Sequence, residues 1–470
     1  MKDPMMPTRR ATLASLLMLG AAGCTVGPDY ARPTAIISPT FKEADGWSPA
    51  APGDLDAKGD WWTLFNDPIL SALEARVLVS NQTLIAAEAA YRQARALVSE
   101  QRAGLFPTVD LNAGATQSGG GSNSGGNNGS YRVEIGASWE PDIWGRIRRT
   151  IEAARANAQA SEADLAAARL SAQGELAADY FGLRETDAEM ALDQATVDGY
   201  RRTLQIATNR FNAGIIPHSD VLQFQTQLDN ALADLAGLKQ QRATYEHAIA
   251  VLVGEAPGNF TLAPITNWAP TLPDIPVGVP STLLQRRPDI AAAERRMAAA
   301  NAQIGIQRAA YYPNITLTGS GGVAGSSIGS LFNASNFLWS LGLAGVQTLF
   351  DAGARKARVE QSKAAYDQAV AQYRQTVLTA LQDVENQLIA SRVLAEQYVL
   401  RRSASASADA AEQMVRNRYD AGQISYLDVV TAQATAYSAR RTLVQTLAQR
   451  ETTAVALIQS LGGGWRQPAV

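Results

Sequence analysis

Hydrophobic positions along this chain follow two different spacings, and the change from one to the other occurs twice. Between residues 366 and 388, apolar side chains recur every three or four positions, as one face of an α-helix requires. Between residues 107 and 116 they alternate with polar ones, for example Val109 with Asp110, as in a strand with two unlike faces. The pattern predicts a chain of long helices interrupted by short strands.

The predicted strands form two pairs. They cover Pro107–Thr116 with Tyr131–Glu140, and Asn314–Ser320 with Phe337–Phe350. Glycine-rich and serine-rich segments at 118–130 and Gly321–Ser335 separate the strands of each pair and favour exposed loops. Each strand is about ten residues long, which is enough to cross an outer membrane when tilted.

Helical patterns flank both strand pairs. One precedes each pair, at Asp67–Ala103 and Arg287–Ala309, and ends where proline prevents continuation. After the first pair, the segment between Gly145 and Gly214 contains no proline. It predicts one helix of roughly 70 residues, about 100 Å long.

A sequence phrase occurs twice, as NRFNAGIIPHSDVL at 209–222 and NRYDAGQISYLDVV at 417–430. Its glycines, Gly214 and Gly422, lie 208 residues apart. Because Pro107 with Pro313 and Gly145 with Gly353 recur at offsets of 206 and 208, most of the chain is a duplication. Glycine readily closes a helix C-terminus, and a carboxylate is favoured in the first turn of the next helix. The phrase therefore predicts a helical hairpin whose return helix begins near Asp220 in one repeat and Asp428 in the other.

The first residues resemble an export signal. Lys2, Arg9 and Arg10 precede an apolar run that is too short to span a bilayer and ends at Cys24. We expect residues 1–23 to be removed and Cys24 to carry lipid. Cys24 is the one cysteine in the chain, so no internal disulfide is expected.

Composition excludes several classes of function. The 41 basic and 44 acidic residues nearly cancel, which argues against nucleic acid as a partner. With only 2 histidines and no phosphate-binding loop, nucleophile elbow or CxxC pair, the sequence predicts no enzyme activity and no metal or other cofactor beyond the covalent lipid on Cys24.

Four strands cannot close a membrane barrel, because an open sheet edge in lipid leaves backbone groups without partners. The chain is therefore expected to oligomerise. Two copies would give eight strands around a filled interior, and three would give twelve around a lumen. Three copies suit transport better.

Four segments make the chain resemble the TolC-like outer-membrane efflux channels, in the lipoprotein branch that serves resistance-nodulation-division pumps. They are CTVGPDYARP at 24–33, WWTLFNDPIL at 61–70, LLQRRPDIAAAERRMAAANAQIGIQRAAYYPNI at 283–315, and LGGGW at 461–465. The resemblance implies an α+β membrane protein. Three chains would form one 12-stranded β-barrel, with four strands from each, continued by a long periplasmic α-helical coiled-coil barrel.

The same resemblance implies function and partners. The homotrimer would be the outer-membrane exit duct of a tripartite efflux pump, lipid-anchored and extending into the periplasm. It would conduct drugs or other small toxic molecules passively. Its protein partners would be a periplasmic adaptor, also called a membrane fusion protein, and an inner-membrane resistance-nodulation-division transporter.

The resemblance also places a gate at the hairpin tips. Asp220 and Asp428 match an acidic gate position, Tyr419 an aromatic one and Leu427 an apolar constriction. Ile424 and Thr431 depart from an arginine and an aspartate found in other members. The residues expected to form the tips and meet the adaptor are Ala213, Gly214, Ile215, Ala421, Gly422 and Gln423.

These expectations divide the chain into consecutive segments. They are a signal peptide at 1–23, a lipidated segment at 24–66, a first repeat at 67–256, a proline-rich equatorial linker at 257–286, a second repeat at 287–464 and a tail at 465–470. Two other functions remain open: the outer-membrane component of a type I protein secretion system, and a structural lipoprotein that is no channel. The structural lipoprotein would lack strands.

Overall fold

The structure of the protein is a computed structural model. It describes residues 25–34, 38–43, 60–118, 128–273, 275, 280 and 286–465. The predicted signal peptide and the lipidation site Cys24 lie outside the described residues.

Seven helices of ten or more residues and four strands make up the described chain. In chain order they are α1 (Pro68–Ser80), α2 (Gln82–Ala103), β1 (Thr108–Ser118), β2 (Asn128–Trp139), α3 (Arg146–Asn212), α4 (His218–Leu252), α5 (Pro288–Ala309), β3 (Asn314–Gly325), β4 (Phe337–Val346), α6 (Ala354–Asp420) and α7 (Tyr426–Ser460). Short 3-10 turns occur at Trp61–Phe65, Pro257–Asn259, Ile328–Ser330 and Ala334–Asn336. No helix in the described ranges is both long and apolar enough to cross a membrane.

The long helix predicted between Gly145 and Gly214 is confirmed. α3 contains 67 residues, and so does its counterpart α6. At 1.5 Å per residue each is about 100 Å long. The apolar stripe of α6 is largely buried, with Tyr373, Val377, Val384 and Leu388 at most 2% exposed.

The first predicted helix is broken where the sequence pattern suggested continuity. Asn81 separates α1 from α2 with an extended backbone. Its side-chain oxygen accepts a hydrogen bond from the backbone N–H of Leu84, and its amide donates to the carbonyl of Leu252. An asparagine that caps a helix start in this way competes with helix continuation.

The four strands form one antiparallel sheet in the order β1-β2-β3-β4. Each of the four strands differs from its predicted bounds at one or both ends, by most in β3 and β4. Gly321–Gly325, expected in a loop, extend β3 and pair with Tyr131–Ile135, while β4 ends at Val346 rather than Phe350. Glycine is disfavoured in strands, so the sequence pattern hid this pairing.

The register gives the sheet two chemically different faces. Facing pairs such as Leu111 with Ile135 and Leu317 with Leu343 lie on the apolar face. Seven apolar side chains of this face are 57–78% exposed: Val109, Leu111, Ile135, Phe337, Trp339, Leu341 and Leu343. The other face carries Asp110, Asn112, Arg132, Glu134, Ser138, Thr316, Thr318, Ser320 and Ser340.

The described residues divide into two compact units. One comprises the described residues within Met1–Thr34, Ala90–Glu162 and Ala292–Arg374, and contains the sheet. Its helical core is built from small residues, where Ala156, Ala298 and Ala299 pack with Tyr30. These alanines permit close approach of the helices.

The other unit comprises the remaining segments, Ala35–Ala89, Ala163–Ala291 and Gln375–Val470. Aromatic rings contribute to its core, with Phe65 5.1 Å from Phe181 between ring centroids. The predicted division of the chain into consecutive segments stays a prediction.

A buried ion-pair network fixes the start of the proline-rich linker in this second unit. Asp187 accepts hydrogen bonds from Arg184 at 3.0 Å and from Arg242 at 2.7 Å. The two arginines also donate to the carbonyls of Ala263 and Leu262. Buried charges are tolerated when they are paired and hydrogen-bonded, so this network attaches the linker to α3 and α4.

Two buried carboxyl groups of the described chain, those of Glu74 and Glu451, have no such partner. Glu74 on α1 is fully buried, and neither of its carboxyl oxygens has a hydrogen-bond partner within the described chain. Burial raises the pKa of Glu74 to about 9. The side chain is therefore protonated and neutral at pH 7.

We predict that Glu74→Met raises the stability of the protein, and that the gain is larger at pH 8 than at pH 5. Methionine is of similar size and removes an unpaired polar group worth about 1–3 kcal/mol. Because the folded pKa lies above the unfolded one, the wild-type protein loses stability as the pH rises from 5 towards 9. Apparent unfolding midpoints at the two pH values measure the difference.

Glu74→Gln is the matched control. Glutamine does not titrate, so this substitution should abolish the pH-dependent part of the stability that Glu74 causes. It keeps an unpaired polar group in place. A gain from Glu74→Met that is equal at both pH values would contradict a protonated buried Glu74.

Candidate functional site

The tip of the first helical hairpin is a tight turn built on glycine. Gly214 has a φ of +70°, the left-handed region. Its N–H donates to the carbonyl of Phe211, and the N–H of Ile215 donates to that of Arg210. These two bonds form the Schellman motif that closes a helix, so α3 ends here because of Gly214.

The tip of the second hairpin repeats the same bonds. Gly422 also has a φ of +70°. Its N–H donates to the carbonyl of Tyr419, and the N–H of Gln423 donates to that of Arg418. Ala213, Ile215, Ala421 and Gln423, the predicted tip residues that flank the glycines, are all exposed.

Asp220 and Asp428 lie in the first turns of the return helices, as the sequence predicted, but their environments differ. Asp428 is part of a capping box with Ser425. Its carboxylate accepts from the Ser425 backbone N–H at 3.1 Å and hydroxyl at 2.8 Å. The corresponding helix start at Pro217 has no side-chain cap, and Asp220 is half-buried. Asp428 thus stabilises the start of α7 whatever else it does.

Tyr419 joins the two hairpins. Arg210, in the last turn of α3, donates a hydrogen bond to the Tyr419 hydroxyl, and its guanidinium lies 5.3 Å from the centre of that ring. The ring also contacts Tyr426, with centroids 5.2 Å apart, and Tyr426 contacts Phe224 at 4.3 Å. Leu427 is outside this cluster and 65% exposed.

Sequence reasoning missed Arg210, Phe224 and Tyr426. A signal for Arg210 was present, because the repeated phrase has an arginine at the same place in each copy. Which of the two, Arg210 or Arg418, contacts the other hairpin depends on packing that a repeat does not encode. The aromatic contacts of Phe224 and Tyr426 had no comparable signal.

A cavity of about 490 Å³ lies between the hairpins beside these residues. Parts of all four long helices line it. Its charged lining residues are Arg202, Arg210, Asp220, Arg416 and Asp420. Ile206, Ile216 and Val429 are among its apolar ones. The two hairpins of one chain are therefore not close-packed against each other near their tips. The cavity leaves space for the tips to shift relative to each other.

The segment after Cys24 lies next to the end of the sheet. A Cβ built on Gly145 would be 2.7 Å from Thr25, so the chain passes this glycine in close contact. The N–H of Val26 donates to the carbonyl of Trp144, in the turn between β2 and α3. The Trp144 ring stacks on Tyr312 at 4.8 Å. Such aromatic residues are enriched at the interfaces of membranes.

The chain matches a family model, Outer membrane efflux protein, over residues 73–255 and 279–463. These two segments cover more than half of it. The chain belongs to the outer membrane efflux protein family.

Relatives in the family span different pumps. The chain is 30% identical over 454 residues to the toluene efflux pump outer membrane protein TtgC of Pseudomonas putida, covering 94% of this chain and 93% of that one. It is 28% identical to the cation efflux system protein CusC of Escherichia coli, covering 96% and 97%. The family role of efflux exit duct in the outer membrane is therefore that of this chain, and members of this family are channels rather than enzymes.

Solved channel structures share the fold. The outer-membrane channel OprN superposes with a TM-score of 0.86 and 31% identity over 95% of this chain and 100% of that one. A structure of CusC gives 0.83 and 26%, over 93% and 100%. This confirms the expected fold class, in which the four strands are one chain's share of a trimeric β-barrel continued by a helical barrel. The four-stranded sheet also argues against the alternative of a strandless structural lipoprotein.

We predict that Asp428→Asn raises the single-channel conductance of the purified protein in lipid bilayers, more so when combined with Asp220→Asn. Both substitutions remove the charge expected at the gate. The amide oxygen introduced by Asp428→Asn can still accept from Ser425, so the helix cap is retained.

Ser425→Ala is the control. It removes the serine side of the capping box at a cost of about 0.5–2 kcal/mol but leaves the Asp428 charge. If Ser425→Ala opens the channel as much as Asp428→Asn, the cap rather than the charge controls the gate. If no variant conducts, the gate assignment is wrong.

Proposed function

We propose that this protein is the exit duct of a tripartite efflux pump and that it conducts drugs or other small toxic molecules to the cell exterior through a gated homotrimer. The observation that carries the proposal is the two-faced sheet, apolar on one side and polar on the other. An apolar face suits lipid, and a polar face suits a water-filled lumen. A water-filled duct needs no chemistry of its own.

The unpaired edges of the sheet are the reason to propose assembly of several copies of the chain. β1 and β4 each have one partner within the described chain, so each leaves one edge open. Open edges are not tolerated in hydrocarbon, and joining copies edge to edge pairs both. Three copies give twelve strands, enough for a lumen.

The trimer would work with two further proteins. We propose a periplasmic adaptor at the hairpin tips and an inner-membrane resistance-nodulation-division transporter as the energised component. The exposed tip residues Ile215 and Gln423, with their neighbours, offer surface for the adaptor. In a trimer six tips would contribute, with Asp220, Tyr419, Leu427 and Asp428 forming the gate.

Cys24 is proposed to carry a covalent lipid. Support comes from the signal-like sequence before Cys24 and from Thr25, the next residue along the chain, which lies in close contact with Gly145 in the turn after β2. A lipid attached there would be near the surface of any bilayer that surrounds the sheet.

The cargo distinguishes this function from protein secretion by the same type of scaffold. Deletion of the gene should sensitise cells to organic toxicants or metal ions, and the intact gene should restore resistance. Loss of one secreted polypeptide with unchanged sensitivity would favour the secretion function instead. The names of the relatives, which refer to toluene and cations, support the efflux assignment.

We predict that Cys24→Ser abolishes incorporation of radiolabelled palmitate and lowers the amount of protein in the outer-membrane fraction. One acyl group contributes about 0.8 kcal/mol per buried CH₂ to membrane binding, whereas a closed barrel is held by its whole lipid-facing surface. The trimer that does form should therefore still conduct. Continued palmitate incorporation in Cys24→Ser would show that the anchor lies elsewhere.

A further inference from the structure

A row of acidic side chains on α3 faces α7. Glu185, Glu189 and Asp193 are four residues apart, so they share one face of α3. Opposite them, Tyr437, Arg441 and Gln445 have the same spacing on α7. We call these six residues the α3–α7 seam.

Hydrogen bonds join the two sides of the seam. The Tyr437 hydroxyl donates to Oδ1 of Asp193. Arg441 and Gln445 both donate to Oε1 of Glu189, at 3.3 Å and 2.7 Å. Because α3 belongs to the first hairpin and α7 to the second, these bonds hold the two hairpins of one chain together.

The two carboxyl groups that accept these bonds are buried. Glu189 and Asp193 are 4% and 3% exposed. Oδ2 of Asp193 is buried without a hydrogen-bond partner in the described chain. A buried carboxylate oxygen that lacks a partner is costly when charged, and protonation reduces that cost.

The charges of the seam do not balance. Arg441 is the cation that faces the acidic row, and it forms an ion pair with Glu189. Asp234 on α4 adds a further negative charge near Asp193. With all four carboxylates ionised, one guanidinium faces four negative charges.

Burial is the main cause of the raised pKa values of Glu185 and Asp193. Together with the charge of Glu189 it raises the pKa of Glu185 to about 7, while Arg441 opposes the shift. Burial also raises the pKa of Asp193, which the hydrogen bond from Tyr437 and the charge of Arg441 oppose. Both groups would return to ordinary values if the hairpins separated and water entered.

We propose that the α3–α7 seam is a proton-sensitive latch between the two hairpins, with Arg441 as its positioning residue, and that acid keeps the duct closed through it. The packed seam binds more protons than the hydrated one. Lowering the pH from 8 to 5.5 therefore stabilises the packed arrangement, and raising it favours separation. An exit duct opens to the exterior and meets external acid, so the latch would limit entry of acid through it.

The effect on conduction rests on the proposed duct function. In planar bilayers, the open probability of the purified full chain should be about tenfold higher at pH 8 than at pH 5.5, the factor that one pKa unit of differential proton binding represents. Glu185→Gln with Asp193→Asn should remove most of this dependence and keep the open probability low at both pH values.

Two substitutions, one that removes the positive charge of Arg441 and one that keeps it, test the role of this residue. Arg441→Gln removes the cation and should raise the open probability at pH 8 and move the pH profile to higher pH. Arg441→Lys should restore most of the wild-type profile. Asp198→Asn is the matched control, because Asp198 lies on the same helix in an exposed ion pair with Arg201 and should leave the profile unchanged.

A distance measurement separates the latch from the duct. Spin labels at Gln194→Cys and Ser438→Cys, in a Cys24→Ser background, flank the seam on α3 and α7. Their separation should increase between pH 5.5 and pH 8, and should stay constant in the Glu185→Gln, Asp193→Asn protein. A constant separation in the protein with both acids intact would overturn the latch. A pH-dependent separation without any current would retain the latch and count against the duct.

Discussion

The open edges of the four-stranded sheet are the constraint on which the rest of this structure depends. Backbone N–H and C=O groups in a membrane must be paired, and the outer edges of β1 and β4 have no partner within the described chain. The exposed apolar face, with residues such as Trp339 at 74% and Leu341 at 78%, is equally unsatisfied in water. Assembly with further copies in a bilayer resolves both conditions at once. This is why a chain of this family cannot function as a soluble monomer.

Duplication supplies the material for that assembly, but the two repeats have diverged at their tips. Both use a left-handed glycine and the same Schellman bonds to end the long helix. The second tip has a complete capping box through Ser425 and Asp428, whereas the first begins its return helix at Pro217 without a side-chain cap. The contact between the two tips is also asymmetric. Arg210 of the first hairpin donates a hydrogen bond to Tyr419 of the second. Because the two hairpin tips differ in sequence and contacts, a substitution in either one can change how the hairpins pack together.

Local rules made much of the fold predictable. Helix length followed from the absence of proline, hairpin tips from glycine, and strand faces from alternation. Asn81 was missed because an isolated asparagine is compatible with a helix, and only its bonds to Leu84 and Leu252 show it to be a cap. Gly321–Gly325 were missed because their strand is imposed by β2 rather than by their own propensity. The acidic α3–α7 seam could not be predicted from the sequence either, because the spacing of residues along one helix does not show which other helix packs against them.

Imaging of single purified particles in lipid nanodiscs is the direct test of whether three chains complete one duct. We expect a particle with three-fold symmetry, one barrel within the disc and a hollow helical extension outside it. A monomeric or two-fold particle, or a three-fold one without a continuous lumen, would contradict it.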